Sequence, residues 1–233
     1  MFTSFGALAQ YKDPVFELSD NDSLLHISAT ERREVDQDLL IATLRIEAED
    51  RSNKKVQNDV NEGMRAALDL AKEYKDVKAV TRSYNVNQFD KNGGKRNQPR
   101  DMVWKASQSV QLKSKDADAV LELVGKIQSA GFVMAGLNYT LSPEIAAQVQ
   151  DEMLEAALEK LQARAQRAAK ALGKSKAELK EINTQGNSAP VARNYHRGAE
   201  MAVMSMSADV AAPVAAAGET TITMTVNAKA LLR

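Results

Sequence analysis

Apolar residues recur along this chain first at every second position, then at every third or fourth, and the two periods trade places until the C-terminus. Leu24 to Thr30 alternates, with Leu25, Ile27 and Ala29 on one face, and predicts a first strand. Leu40, Ala42, Leu44, Ile46 and Ala48 interleave with Ile41, Thr43, Arg45 and Glu47, which predicts a second strand with one wet face. From Ser52 the period lengthens. Val56, Val60, Met64, Ala67, Leu68 and Ala71 mark an amphipathic helix ending near Tyr74. Val77 to Phe89 returns to extended structure, and Asp90 to Arg100 reads as a long turn before another strand. In that strand Met102, Trp104, Ala106, Gln108, Val110 and Leu112 alternate with Val103, Lys105, Ser107, Ser109, Gln111 and Lys113. Asp116 to Ala130 predicts a second helix, with Val120, Leu121, Val124 and Ile127 inward and Gly131 as its stop. Val133, Ala135, Leu137, Tyr139 and Leu141 predict the strand that follows.

The longest periodic stretch runs from Ser142 to Gly173. Ser142-Pro143-Glu144 is a start signal, because serine can cap and proline needs no N–H partner at the first helical position. Ile145, Val149, Met153, Ala157, Leu161, Ala165, Ala168 and Leu172 form the apolar stripe of a third helix over about 143–172. Asp151, Glu152 and Glu155 precede Lys160, Arg164, Arg167 and Lys170, the order that complements the helix dipole. At 1.5 Å per residue this rod is roughly 45 Å long, so it must lie across a sheet or reach a neighbour. Its Ala165, Ala168 and Ala169 are small enough to let another backbone approach. Leu179 to Thr184 has a mixed pattern and is read as a strand. Residues 186–218 carry no period and read as an irregular loop. Thr221 to Lys229 alternates again, with Ile222, Met224, Val226 and Ala228 inward, as a closing strand. Helices beside a mixed or antiparallel sheet give an α+β domain over 24–233.

Composition narrows the function classes. Lysine plus arginine equals aspartate plus glutamate at 31 each, so no net field steers the chain to nucleic acid. Lys91, Lys95, Arg96 and Arg100 gather in the long turn without an aromatic beside them, and read as a solvated tip with a protein contact still open. Cysteine is absent, which excludes disulfides and thiolate chemistry, and two histidines cannot build a multi-histidine metal centre. No segment is apolar for the roughly 20 residues of a membrane span. Residues 1–9 are apolar and small, and Ala7-Leu8-Ala9 has the small-x-small form of a signal-peptidase site, so the stretch is read as the tail of a secretory signal. The alternative is an unstructured N-terminus with chance alanines. Residues 10–23 then form a flexible lead-in.

Candidate chemistry is thin. His196 with Met201, Met204 and Met206 offers imidazole and thioethers, which suit copper(I), while methionines in an irregular loop equally serve as gap fillers or oligomer contacts. Gly93-Gly94 lacks the lysine and helix start of a phosphate loop. His26 on a strand reads as structural, and Ser28 and Ser205 have no nucleophile-elbow context. Acidic residues sit on helical solvent faces, so no carboxylate pair for acid–base work stands out.

Several segments together resemble one family. Thr81-Arg82-Ser83-Tyr84, Trp104-Lys105-Ala106-Ser107-Gln108-Ser109-Val110, Ala130-Gly131-Phe132 and Tyr139-Thr140-Leu141-Ser142 are similar, in order and spacing, to strands and a helix stop of the SIMPL-domain family of bacterial exported proteins. Ala156-Ala157, Arg164-Ala165, Ala168 to Gly173, and Ala212-Pro213 followed by Gly218 to Ile222 resemble its alanine-rich helix and its last loop and strand. Where the family commonly has Gly-x-Gly and Pro-Asp, this chain has Ala29, Glu31 and Gln37-Asp38. The resemblance implies a periplasmic protein without catalytic residues or cofactor, in a family where ring- or channel-like homo-oligomers and links to oxidative stress or envelope integrity occur.

The expectation is therefore a non-enzymatic periplasmic homo-oligomer, with Ala165, Ala168, Ala169, Arg96 and Trp104 as packing or oligomer contacts and peripheral envelope association left open. A binding module for a small ligand or copper(I) is the alternative. A carboxylate hydrolase would require clustered carboxylates in one cleft.

Overall fold

The changes of period fall at element boundaries in the computed structural model, which describes residue 19 and residues 21–93, 99–185 and 215–233. The order is β1 (Ser23–Asp36), β2 (Leu39–Asp50), α1 (Asn53–Ala71), β3 (Lys78–Asp90), β4 (Met102–Ser114), α2 (Ala117–Ser129), β5 (Val133–Thr140), α3 (Pro143–Ala171), β6 (Ala177–Gln185) and β7 (Glu219–Leu232). Two antiparallel sheets and three helices make an α+β fold, and α3, with 29 residues, is the longest helix. The helices begin at capping side chains. Ser52 accepts from the Lys55 N–H, Asp116 from the Ala119 N–H, and Ser142 from the Ile145 N–H. Gly131 and Gly173, at φ of 93° and 69°, take the left-handed conformation that closes α2 and α3. At the end of α3 the Gly173 and Lys174 N–H groups return to the Lys170 and Ala169 carbonyls.

The described chain falls into two compact units. One, bounded by Arg33–Val149 and Ala189–Ile222, holds the four-stranded sheet in the order β3-β4-β2-β5. Ala42 stands opposite Leu112 and Leu44 opposite Val110, so the two central strands turn their apolar residues to one face. α1 and α2 cover it, burying Met64, Ala67, Val120, Leu123, Val124 and Ile127 among those residues and Phe132. Leu123 replaces the predicted Leu121, which is only half-buried. At about 100° per residue, Leu123 lies beside the line through Val120, Val124 and Ile127, and Leu121 lies at its margin. β5 departs from strict alternation too. Thr43 pairs with Gly136 but Leu44 with Met134, so Ala135 is bulged out of the ladder. Met134, Leu137 and Tyr139 pack on the core, while Val133 and Ala135 face solvent.

The other unit, bounded by Met1–Arg32, Gln150–Ser188 and Thr223–Arg233, holds most of α3 and the sheet β1-β7-β6. Ala157 and Leu161 bury against Ala29, Val226 and Ala228, and Ala165 and Ala169 against Ala177, Ala230 and Leu232. Along the helix, Val149, Met153, Ala157, Leu161, Ala165 and Ala169 are buried at a spacing of four. The predicted stripe ended instead on Ala168 and Leu172, but Ala168 is half-buried and Leu172 is 59% exposed. Each step of four advances the contact line about 40°, so it winds in one sense, as suits a helix laid on a twisted sheet. A step of three from Ala165 would have turned it back. β6 shows why its pattern read as mixed. Its register with β7 shifts between Leu179 and Glu181, leaving Ile182 48% exposed.

Candidate functional site

Ala165 and Ala169, predicted as contact residues, are spent inside their own unit, where a side chain of one carbon lets α3 settle on β6 and β7. Ala168 sits at the flank of that contact. Trp104 is half-buried beside Val56, Val60 and Ala106, between Asp50 of β2 and Gln88 of β3. Arg96, His196, Met201, Met204 and Met206 lie outside the described residues, as do the signal-like residues 1–9, most of the lead-in 10–23 and residues 186–214 of the irregular loop.

Alternation in the three-stranded sheet puts a polar face opposite α3. His26 and Ser28 of β1, Asn227 and Lys229 of β7, and Glu181 and Asn183 of β6 line a shallow concavity of about 440 Å³ there. Lys229 and Glu181 are cross-strand partners and pair at 2.7 Å. Beside it Thr30 and Thr225 share a hydroxyl hydrogen bond of 3.1 Å. Glu178 is bracketed by Lys176 and, at 2.6 Å, Lys180, and their hydrogen bonds and charges hold its carboxyl down at about 2. This face offers imidazole, hydroxyl, amide and an internally neutralised ion pair. Among the described residues no three His, Asp or Glu side chains are placed to hold a metal ion.

The second arrangement is the Gln37-Asp38 corner between β1 and β2. Asp38 accepts from the Ser142 N–H and from the Ser142 hydroxyl, both at 2.7 Å, and from Lys115 at 2.8 Å. Partial burial pushes this carboxyl up, but the hydrogen bonds from Lys115 and Ser142 outweigh it and leave it below the ordinary range. The corner therefore anchors the capping residue of α3. Gln37 donates its N–H to the Gly218 carbonyl at 2.8 Å and its side-chain amide to Thr220 at 3.0 Å. A proline there could make neither bond. Ala29, at the other departure from the family pattern, uses its methyl against α3. Sequence reasoning noticed Asp38 only as a surviving motif residue. Its partners are 77 and 104 positions away, and no local pattern joins them.

On the four-stranded sheet, Lys105 bridges Glu47 at 2.6 Å and Glu49 at 3.5 Å, and Arg45 joins Glu47. The Lys105 hydrogen bond is the main reason the Glu47 carboxyl is lowered. A groove of about 350 Å³ is lined by Met64, Arg65, Leu68 and Asp69 of α1 and its capping residue Lys72, together with Thr81 of β3 and Gln108 of β4. On strands of this sheet, large apolar side chains stand exposed: Tyr84 at 41%, Met102 at 41% and Val133 at 68%. No helix among the described residues is long and apolar enough to cross a membrane.

The SIMPL family, described as proteins of unknown function (DUF541), matches residues 25–230. None of the curated proteins matches the chain. Among solved structures, a de novo designed protein, Foldit4, is 15% identical over 45% of this chain and 98% of its own, with a TM-score of 0.26. A putative amidohydrolase/peptidase from Burkholderia cenocepacia is 12% identical over 63% of this chain and 34% of its own, with a TM-score of 0.24. Superpositions this loose bear on neither fold nor function.

Proposed function

The chain belongs to the SIMPL family, and we propose that it acts without catalysis, as a homo-oligomeric assembly protein of the periplasm with a role in envelope integrity or stress defence. The observation that carries the assembly reading is the state of the sheets. Among the described residues each is open, with β1 and β6 at the edges of one and β3 and β5 at the edges of the other, and the exposed Tyr84, Met102 and Val133 stand on strands of the second. Unpaired strand edges and exposed apolar side chains are what association between chains uses. Support for a non-catalytic role comes from the acidic groups. Glu181 is neutralised by Lys229, Glu47 by Lys105 and Asp38 by Lys115, each at 2.8 Å or less. The small-residue Ala7-Leu8-Ala9 motif supports export, and the family resemblance supports the envelope and stress context, with peripheral attachment to the envelope as part of it.

Sedimentation velocity across a hundredfold concentration range tests the assembly. A discrete species larger than the 25.4 kDa chain is expected, and a strict monomer at the highest concentration overturns the reading. The polar concavity of the three-stranded sheet favours a second reading, a binding module for a small polar ligand. Thermal-shift screening separates the two, since a ligand for that face raises the unfolding temperature of wild type but not of an Asn227→Ala variant.

A further inference from the structure

The four edges left open among the described residues are not alike. β1 carries Glu31, Arg32, Arg33, Glu34 and Asp36; β3 carries Lys78, Arg82 and Asp90; β6 carries Glu178, Lys180 and Glu181. Charged side chains on an edge discourage a further strand, because pairing would strip them of water. β5 carries none. Its eight residues, Val-Met-Ala-Gly-Leu-Asn-Tyr-Thr, are all uncharged, contain no proline, and stand at the end of the order β3-β4-β2-β5. The geometry points to β5 as the strand through which a second copy of this chain joins, edge to edge and antiparallel, merging two four-stranded sheets into one of eight.

The inference rests on the homo-oligomer reading and names the surface that reading lacks. A two-fold axis demands a strand compatible with itself. The bulge at Ala135 limits the regular run to Gly136–Thr140, where Leu137 and Tyr139 turn to the core and Gly136, Asn138 and Thr140 to the other face. Any register centred on a residue keeps both faces in phase across the axis, and the one centred on Asn138 pairs the whole regular run with itself. It sets Leu137 of one copy opposite Tyr139 of the other, Gly136 opposite Thr140, and Asn138 opposite itself. Each core-facing residue then meets a core-facing one, no like charges meet, and the two Asn138 amides can exchange hydrogen bonds. The charges already on β1, β3 and β6 would make the same addition costly there. A second copy also needs no complementary charge of its own, which fits a strand that offers none.

Asn138 is exposed, so a charge can be placed on the axis without entering the core. Asn138→Lys and Asn138→Asp should each raise the dimer dissociation constant by about three- to tenfold, since like charges then stand directly opposite. Mixing the two variants should restore wild-type affinity or better. Wild-type amides of Gly136–Thr140 should exchange more slowly at concentrations where the dimer forms. A monomeric wild type overturns the oligomer reading itself. An oligomeric wild type whose association neither charge alters, or whose mixture shows no recovery, overturns the β5 assignment alone. Circular dichroism verifies that both variants fold; if one does not, unchanged exchange at Gly136–Thr140 in wild type overturns the assignment by itself.

Discussion

Replacing Asp38 should loosen the start of α3 more than any other single polar change in its unit. In the folded chain this carboxylate takes two donors from Ser142 at 2.7 Å and one from Lys115 at 2.8 Å, and its side chain is 27% exposed. Ser142 itself is 1% exposed, so its N–H has no water to fall back on. A hydrogen bond to a charged group contributes about 1.5–3 kcal/mol, and a buried donor left without a partner costs about 1–3 kcal/mol. Removing the negative charge beside a helix N-terminus forfeits roughly another 0.3–1 kcal/mol. These terms overlap, so Asp38→Ala should cost about 2–4 kcal/mol, and Asp38→Asn, which keeps one acceptor in place, about 1–2 kcal/mol. Trp104 is the chain's one tryptophan and lies on β4 of the same unit, so its fluorescence during urea unfolding at pH 7 reads the loss directly. The pH dependence has a definite sign. The folded carboxyl is lowered, so its contribution is present above the unfolded value of about 3.9 and is lost as pH falls through the folded value below it. Wild type and Asp38→Asn should therefore converge on acidification. A cost for Asp38→Ala below about 0.5 kcal/mol, or a wild-type advantage that grows as pH falls, would refute the reasoning.

Three other outcomes follow from the packing and the charges. Ala165→Leu forces a larger side chain between α3 and the sheet and should cost about 1–3 kcal/mol, while Ala168→Leu at the flank should cost less than about 1 kcal/mol; equal effects in thermal unfolding would contradict the contact line. Leu161→Ala empties a fully buried position and should cost about 2–5 kcal/mol, against less than about 0.5 kcal/mol for Leu172→Ser at 59% exposure; urea unfolding followed by circular dichroism compares them. The Glu178 carboxyl should titrate at about 2 in carbon-detected NMR, and Lys176→Ala with Lys180→Ala should bring it back toward the ordinary glutamate range.

Periodicity alone determined a good deal. The ten elements lie where the spacing predicts, within a few residues except at β1, because burial on one face leaves a period of two or 3.6 in the chain itself. β1 continues to Asp36 beyond the predicted Thr30, through the charged run Glu31 to Glu34, since an edge strand pairs through its backbone whatever its side chains. The cap of α3 and the glycine stops were legible for the same local reason: Ser142, Gly131 and Gly173 act within four residues of themselves. Tertiary structure decided what depends on distant partners. The bulges at Ala135 and Lys180 arise in pairing with β2 and β7 and shift which residues face inward. Which of the neighbouring alanines in α3 meets the sheet depends on the twist beneath it, and the helix sequence does not record that twist. Asp38 became an anchor only when folding brought Lys115 and Ser142 to it. The neutrality of β5 was written in the chain from the start, but it acquired meaning only once the sheet order placed that strand at an open edge.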